Sequence, residues 1–379
     1  MSGSTLATRL ARPVGAVWPN AEQNLVLQAI FAEAGPARAA FLTWREGVDL
    51  EGHFERPVFR LLPLLYLRIL AMGVDDPIMA RLKGVYRSAW SETHSLLYAT
   101  APAIAALAAA GIPTLLLKGA PLVLVHYRNH GSRPMADLDL AVPAATVQAA
   151  LTCLARAGWL PDAPITAHDL AFRHAATLRG GNKREIDLHW HLLFEHCDAA
   201  ADEIFWSQAV PLTCNDVPTA ALGPELTLLH GVIHGLRANT EPPIRWIADA
   251  MTVLNQAGEN FDWTLLTTSA SRLGMARRVW LGLCYLRQAH AAPIPPSVLD
   301  SLRAAPSPLP ERLEISMMLR STPLALPRIL RKSVLLIAEF LRVTRGCSRL
   351  ASARLLPAFL RYRLGLPSAR RLSGRLIRF

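Results

Sequence analysis

The sequence predicts an α+β protein in which a small mixed sheet is embedded in a predominantly helical chain. Three observations point to this. Apolar residues recur at helical spacing over most of the chain, as in NLVLQAIFAEAG and FRLLPLLYLRILAMG. Between about 112 and 195 the texture changes to short apolar runs and period-two alternation. Loops rich in Gly, Pro and Asn separate those runs.

Taken in order, residues 1–20 read as a loose arm and Glu22–Gly111 as helical. The last and longest helical stretch begins near Asp76 and stops at Gly111, placed as a C-cap. IPTLLLKG then reads as a buried strand over Thr114–Leu117 running into a Lys118-Gly119 turn, and Ala120–Arg128 as a helix. NHGSRPMA is a loop. DLDLAV alternates acid and apolar residues over Asp137–Val142, the period of a strand. Pro143 near its start and Gly158 at its stop frame the next helix. Ala175–Arg179, the turn Gly180-Gly181-Asn182 and Glu185–Trp190 read as a hairpin, and Ala199–Arg345 as mostly helical again. The expected units are a helical region 1–111, a sheet-bearing core 112–195, a helical domain 196–327 and a basic amphipathic segment 328–379.

About half of the 379 residues are apolar, enough for real cores, yet no run reaches the roughly 20 apolar residues of a membrane span. The N-terminus MSGSTLATRL lacks the apolar centre of a secretion signal. The five cysteines are widely and irregularly spaced, with no CxxC pair. Reduced thiols in a cytoplasmic protein, with a peripheral membrane association left open, are the expectation. The net charge of +11 is uneven: residues 328–379 hold 13 Lys or Arg and one acid, leaving 27 basic and 28 acidic residues before them. The body is therefore near neutral, and any argument for nucleic acid from basicity concerns the C-terminal segment alone.

In DLDLAV, period two puts Asp137 and Asp139 on one face and Leu138 and Leu140 on the other. Adjacent carboxylates repel unless a cation lies between them, and hard divalent cations take oxygen ligands. In EIDLHW, Asp187 follows the same alternation. If the two strands are neighbours, three carboxylates converge as metal-assisted phosphoryl chemistry requires. An isolated DxD is more often just a solvated strand end; the surrounding order of elements favours a site here.

The order LLLKGAPLVLVHY, GSRPMADLDLAV, EIDLHW resembles the DNA polymerase beta-type nucleotidyltransferase superfamily, and most closely its uncharacterised nucleotidyltransferase family, over about 112–195 and into the helices up to about 260. The resemblance implies a sheet of the nucleotidyltransferase type and transfer of NMP from an NTP, with Mg2+ or Mn2+. By position, Asp137 and Asp139 match the metal-binding pair, and Asp187 matches the third carboxylate, which activates the acceptor hydroxyl. Lys118-Gly119 stands where the superfamily has Gly-Ser at a phosphate-receiving turn, but Ala120-Pro121 follows and no Ser does. Lys118 then supplies a charge to the triphosphate, or ends a strand in solvent. Arg133 clamps a phosphate with its planar fork, or pairs with a nearby carboxylate.

Other motifs carry less. His189 shares the face of Asp187 and is expected as a hydrogen-bonded neighbour of the site more than as a ligand. His230 and His234, four apart, suit zinc by spacing, but with no third ligand evident a packing role is expected. RWIAD (Arg245–Asp249) packs beside the site or touches nucleotide; its residues do not decide. The basic C-terminus reads as a solvated helix and frayed tail, or as a contact for a membrane surface, RNA or an acidic peptide. The acceptor is open: a small molecule, a glycan intermediate, a protein, or a peptide such as a lasso-peptide precursor, since relatives of this branch tend to lie near natural-product and polysaccharide genes. Two alternatives to this enzyme are a toxin-like nucleotidyltransferase acting on tRNA and a nucleotide-binding protein without turnover.

Overall fold

The computed structural model describes residues 17–166, 169–170, 173–181, 184–237, 243–318, 328–344 and 348–363. Most of the expected N-terminal arm (1–16), Asn182 of the hairpin turn, Cys347 and the final basic stretch (364–379) lie outside the described residues.

Helices α1 (Ala21–Phe31), α2 (Ala34–Glu46) and α3 (Leu62–Ala71) lead into the 32-residue α4 (Ile78–Ala109). The start of α1 is set by a capping box: the Asn20 side chain accepts from the Gln23 amide at 2.8 Å, and the Gln23 side chain accepts from the Asn20 amide at 3.0 Å. Gly111, at φ +70°, ends the α4 segment as its position predicted.

The sheet follows. Its strands are β1 (Leu115–Leu116), β2 (Asp137–Ala141), β3 (Leu160–Pro161), β4 (Ala175–Arg179), β5 (Glu185–His189), β6 (Ala209–Cys214) and β7 (Val217–Leu222). Their spatial order is β3-β4-β5-β2-β1-β7-β6. Strands β2 and β5, and β1 and β7, pair in parallel; the other neighbours are antiparallel. Helix α5 (Val147–Arg156) connects β2 to β3. After α6 (Ala199–Trp206) come the β6–β7 hairpin and the helical body: α7 (Pro224–Gly235), α8 (Arg245–Ala257), α9 (Trp263–Arg272), α10 (Ala276–His290), α11 (Pro296–Ala304) and α12 (Leu309–Met318). Helices α13 (Arg328–Val343) and α14 (Arg349–Arg363) complete the described chain.

Two expectations need correction. The sheet does not end with the expected core at 195: within the stretch from Ala199 onward, which is mostly helical as expected, β6 and β7 add two strands to it. Their two-residue turn places Asn215 and Asp216 at φ +46° and +64°, residue types that tolerate the left-handed region of a tight hairpin. The segment after Gly119 is not one regular α-helix: a turn at Gly119–Pro121 passes into a π-helix over Leu122–Tyr127, which stops at left-handed Arg128.

The sheet divides two cores. One face sends Leu116, Leu138, Leu140, Ile186 and Leu188 against Leu96, Leu97, Ile104 and Leu107 of α4 and Val147, Ala150 and Leu154 of α5. Each such fully buried aliphatic side chain contributes about 1.5–3 kcal/mol, so period two pins the register of β2 and β5. The opposite face meets the larger core of α1–α3 and α7–α10 through Leu115, Leu117, Ala141 and Leu222. Among the described residues, the carboxylates of β2 and β5 lie on that second face, alternating with the leucines and isoleucine of the first.

The basic C-terminal helices are tied to this body. Glu195, just past β5, accepts from Arg237 at 2.8 and 2.9 Å and from Arg278 at 2.7 Å. Arg278 reaches Glu314 of α12 at 2.5 Å, and Glu314 pairs with Arg342 of α13 at 3.0 Å. Arg363 of α14 pairs with Glu339 of α13 at 2.6 Å, and Phe359 packs on Phe340. Arg342 is thus engaged within the fold.

Candidate active site

Period two and parallel pairing bring the acids together. In register, Asp139 lies opposite Asp187 and Asp137 opposite Glu185. Partners in a parallel pair share a face, so Asp137, Asp139 and Asp187 stand side by side, as the alternation anticipated. Thr177 of β4, opposite Asp187, donates its hydroxyl to Asp187 Oδ1 at 2.6 Å. At the start of β5, Glu185 is paired with Arg179.

The three carboxylates have different environments. Asp139 is buried, and its Oδ1 accepts from Lys118 Nζ at 2.5 Å and faces His189 Nε2 at 3.0 Å. Burial alone would raise its pKa; the Lys118 ammonium and the His189 contact outweigh it and hold the carboxyl well below the usual range. Among the described residues Asp137 has no such hydrogen-bonded partner: burial, then the charges of Asp139 and Asp187, push its pKa up. An acidic pair with one member left under repulsion is a donor set that a hard cation would relieve. Among the described residues no group of three His, Cys, Asp or Glu side chains is already arranged around a metal position. Lys118 sits against one carboxylate of the set instead.

Lys118 and Gly119 form the turn that follows β1. Lys118 adopts φ +50° and ψ −105°, a strained backbone for a residue with a side chain, held where its ammonium meets Asp139. Gly119 is closely approached: a Cβ there would lie 3.0 Å from Arg133 Nη1 and 3.1 Å from Met135, so those side chains would have to yield by a few tenths of an ångström. Of the two readings open for Lys118, the solvent-facing strand end is not what the fold contains.

Arg133 resolves toward its carboxylate alternative. It is buried, and its Nε and Nη2 donate to Asp249 Oδ1 and Oδ2 at 2.8 and 3.0 Å. Tyr127 donates to the same carboxylate at 2.9 Å. This pair explains the RWIAD motif, whose first and last residues share a face of α8: Asp249 anchors Arg133, and Arg245 Nη1 donates to the Pro134 carbonyl at 2.7 Å. The motif therefore fastens the loop that delivers Asp137. Sequence reasoning left Arg245 and Asp249 without a role; their i, i+4 spacing was the available signal. It missed Thr177 altogether.

The histidines are neighbours and packing groups. His189 is the hydrogen-bonded neighbour of Asp139 described above. His191 Nδ1 meets Asp202 Oδ2 at 2.6 Å, and Asp202 Oδ1 also accepts from the Leu192 amide, which fixes the exit of β5. His230 Nε2 donates to the Leu192 carbonyl at 2.9 Å, and burial pushes its pKa down to about 3; burial likewise holds His234 well below its ordinary value.

No curated protein matches the chain at a significant level. Among solved structures, an antigenic nucleotidyltransferase-like protein from Paracoccidioides brasiliensis matches 57% of this chain and 96% of its own, at 15% identity and a TM-score of 0.35. The model of the uncharacterised nucleotidyltransferase family matches residues 58–290, from before α3 to the end of α10. That span covers more than half of the chain and holds every acid of the site, so the protein belongs to the uncharacterised nucleotidyltransferase family.

Proposed function

We propose that the protein is a metal-dependent nucleotidyltransferase that moves NMP from an NTP to an acceptor hydroxyl or phosphate. The observation supporting this most directly is the register that sets Asp139 beside Asp187 on adjacent parallel strands, with Asp137 on the same face. Residues 112–195 supply the catalytic strands in this reading, and the units 1–111, 196–327 and 328–379 support them. Asp137, Asp139 and Asp187 would hold Mg2+ or Mn2+, with Lys118 withdrawing from Asp139. The ion, when bound, would neutralise phosphate charge and polarise the α-phosphate. Asp187, oriented by Thr177, accepts the proton of the acceptor hydroxyl. The acceptor oxygen bonds to the α-phosphorus as the bond to pyrophosphate breaks. Lys118 and the Gly119 amide face the departing phosphates, and Arg133 holds the turn from beneath.

Incubation with labelled ATP, GTP, CTP and UTP, divalent metal and cell extract tests the reading, with products identified by mass. Asp137→Ala and Asp187→Ala should abolish labelled product; unchanged nucleotide consumption in both would refute catalysis at this site. A second reading, nucleotide binding without turnover, draws on the Lys118–Asp139 pair, which engages one of the three carboxylates. The acceptor remains a member of the classes named from the resemblance.

A further inference from the structure

Helix α13 buries charge and exposes apolar surface. Its Glu339 and Arg342 side chains are buried, Glu339 against Arg363 and Arg342 against Glu314, with Ala338 and Val343 completing the inward side. Ile337 and Leu341, four apart and therefore on one face, are 58% and 57% exposed. Val334, half-buried, continues that face one turn earlier. A helix that serves only its own chain turns its apolar stripe inward and its charges to water, because burying charge is costly and burying hydrocarbon is favourable. The next helix repeats the pattern. Phe359 of α14 is buried against Phe340, and the side of α14 opposite Phe359 carries Leu350, 75% exposed, with the exposed Arg354 and Arg361. Neither arginine pairs with a carboxylate among the described residues.

The charge around this apolar surface has one sign. Residues 328–379 contain 13 Lys or Arg and a single acid, Glu339, which is already taken up by Arg363. A second copy of the same surface would set arginines against arginines, so the occupant must offer hydrocarbon and negative charge together. A bilayer surface containing anionic lipid offers both: acyl chains for Ile337, Leu341 and Leu350, and headgroup phosphates for the arginines. The helices would lie on the bilayer and not cross it. Helix α13 has 16 residues, and no helix among the described residues is long and apolar enough to span. We infer that α13 and α14 form a docking surface for anionic membranes, with Ile337 and Leu341 as its apolar contacts.

The full chain and an Ile337→Ser, Leu341→Ser double variant would be floated with vesicles of phosphatidylcholine alone and of phosphatidylcholine with about 30% phosphatidylglycerol. Both positions are exposed, so the double variant should keep the wild-type circular dichroism spectrum and melting temperature. The wild-type chain should partition onto the anionic vesicles at least about tenfold better than onto the neutral ones, and added salt should weaken that partitioning. The double variant should lose about tenfold on the anionic vesicles. Arg354→Glu with Arg361→Glu, which leaves the apolar face intact, should lose about as much there and little on neutral ones. Absence of wild-type flotation, equal partitioning onto the two lipids, or undiminished partitioning of the Ile337→Ser, Leu341→Ser variant would overturn the inference. A dimer in analytical ultracentrifugation that the same variant dissolves would give the face to a second copy and overturn it as well. Nucleotide turnover is no part of these readouts, so the reaction proposed above and this surface stand or fall separately.

Discussion

Replacing Asp249 with alanine would leave the Arg133 guanidinium buried without its counter-ion. The side chains concerned are only 6% and 12% exposed, and Asp249 accepts three hydrogen bonds, two from Arg133 and one from Tyr127. Breaking a buried, bidentate pair from one side costs about 3–5 kcal/mol, because the remaining charge loses its compensation. The Tyr127 hydroxyl loses its acceptor as well, worth about 1 kcal/mol. Asp249→Ala should therefore destabilise by about 4 kcal/mol or more in urea unfolding followed by tryptophan fluorescence and circular dichroism. Arg133→Met with Asp249→Leu should cost less than Asp249→Ala alone, since neither partner is then stranded. The loop that delivers Asp137 should loosen in Asp249→Ala, which proteolysis near Arg133 would report. An Asp249→Ala cost under about 1 kcal/mol, or the same cost in an Arg133→Met background, would refute the claim that Arg133 serves first as a buried structural cation.

Three further outcomes are expected. Lys118→Ala removes the cation competing at Asp139, so Mn2+ should bind about tenfold tighter while NTP turnover falls; weaker Mn2+ binding would contradict the competition. Gly235→Ala should destabilise by about 1–3 kcal/mol in thermal unfolding, because its Cβ would fall 2.2 Å from the Trp246 ring. His290 is held down to about 4 by burial, below its ordinary 6.5. Its neutral form is favoured by folding, so its contribution is fully present above pH 6.5 and is lost as pH falls from 6.5 through 4, by at most roughly 3 kcal/mol. His290→Phe should flatten that part of the stability profile; an unchanged acid limb would show that this burial is not felt.

Much of the site was legible in order and period. Alternation alone assigned Asp137, Asp139 and Asp187 to their strands and kept Leu138, Leu140, Ile186 and Leu188 for the opposite core. The hairpin of β4 and β5 was evident from its Gly-Gly turn. The β6–β7 hairpin was not, because Pro211 and Pro218 interrupt the strand pattern and its Asn-Asp turn lacks glycine. The π-helical step after Gly119 leaves no periodic trace over six residues.

What DLDLAV and EIDLHW determined by themselves was the face each acid occupies, since the pleat of a strand is a local property. The family followed from the same motifs and their order. Whether the acids meet depended on β2 and β5 becoming parallel neighbours, a pairing across 48 residues that no local rule fixes. Partner choice was likewise tertiary. Lys118 read as a charge for phosphate or a strand end in solvent and is paired with Asp139; Arg133 read as a phosphate clamp or a partner of a nearby carboxylate, and the fold supplies Asp249. A charge's partner is set by whichever opposite group the fold buries beside it, and for Arg133 that group lies 116 residues along the chain.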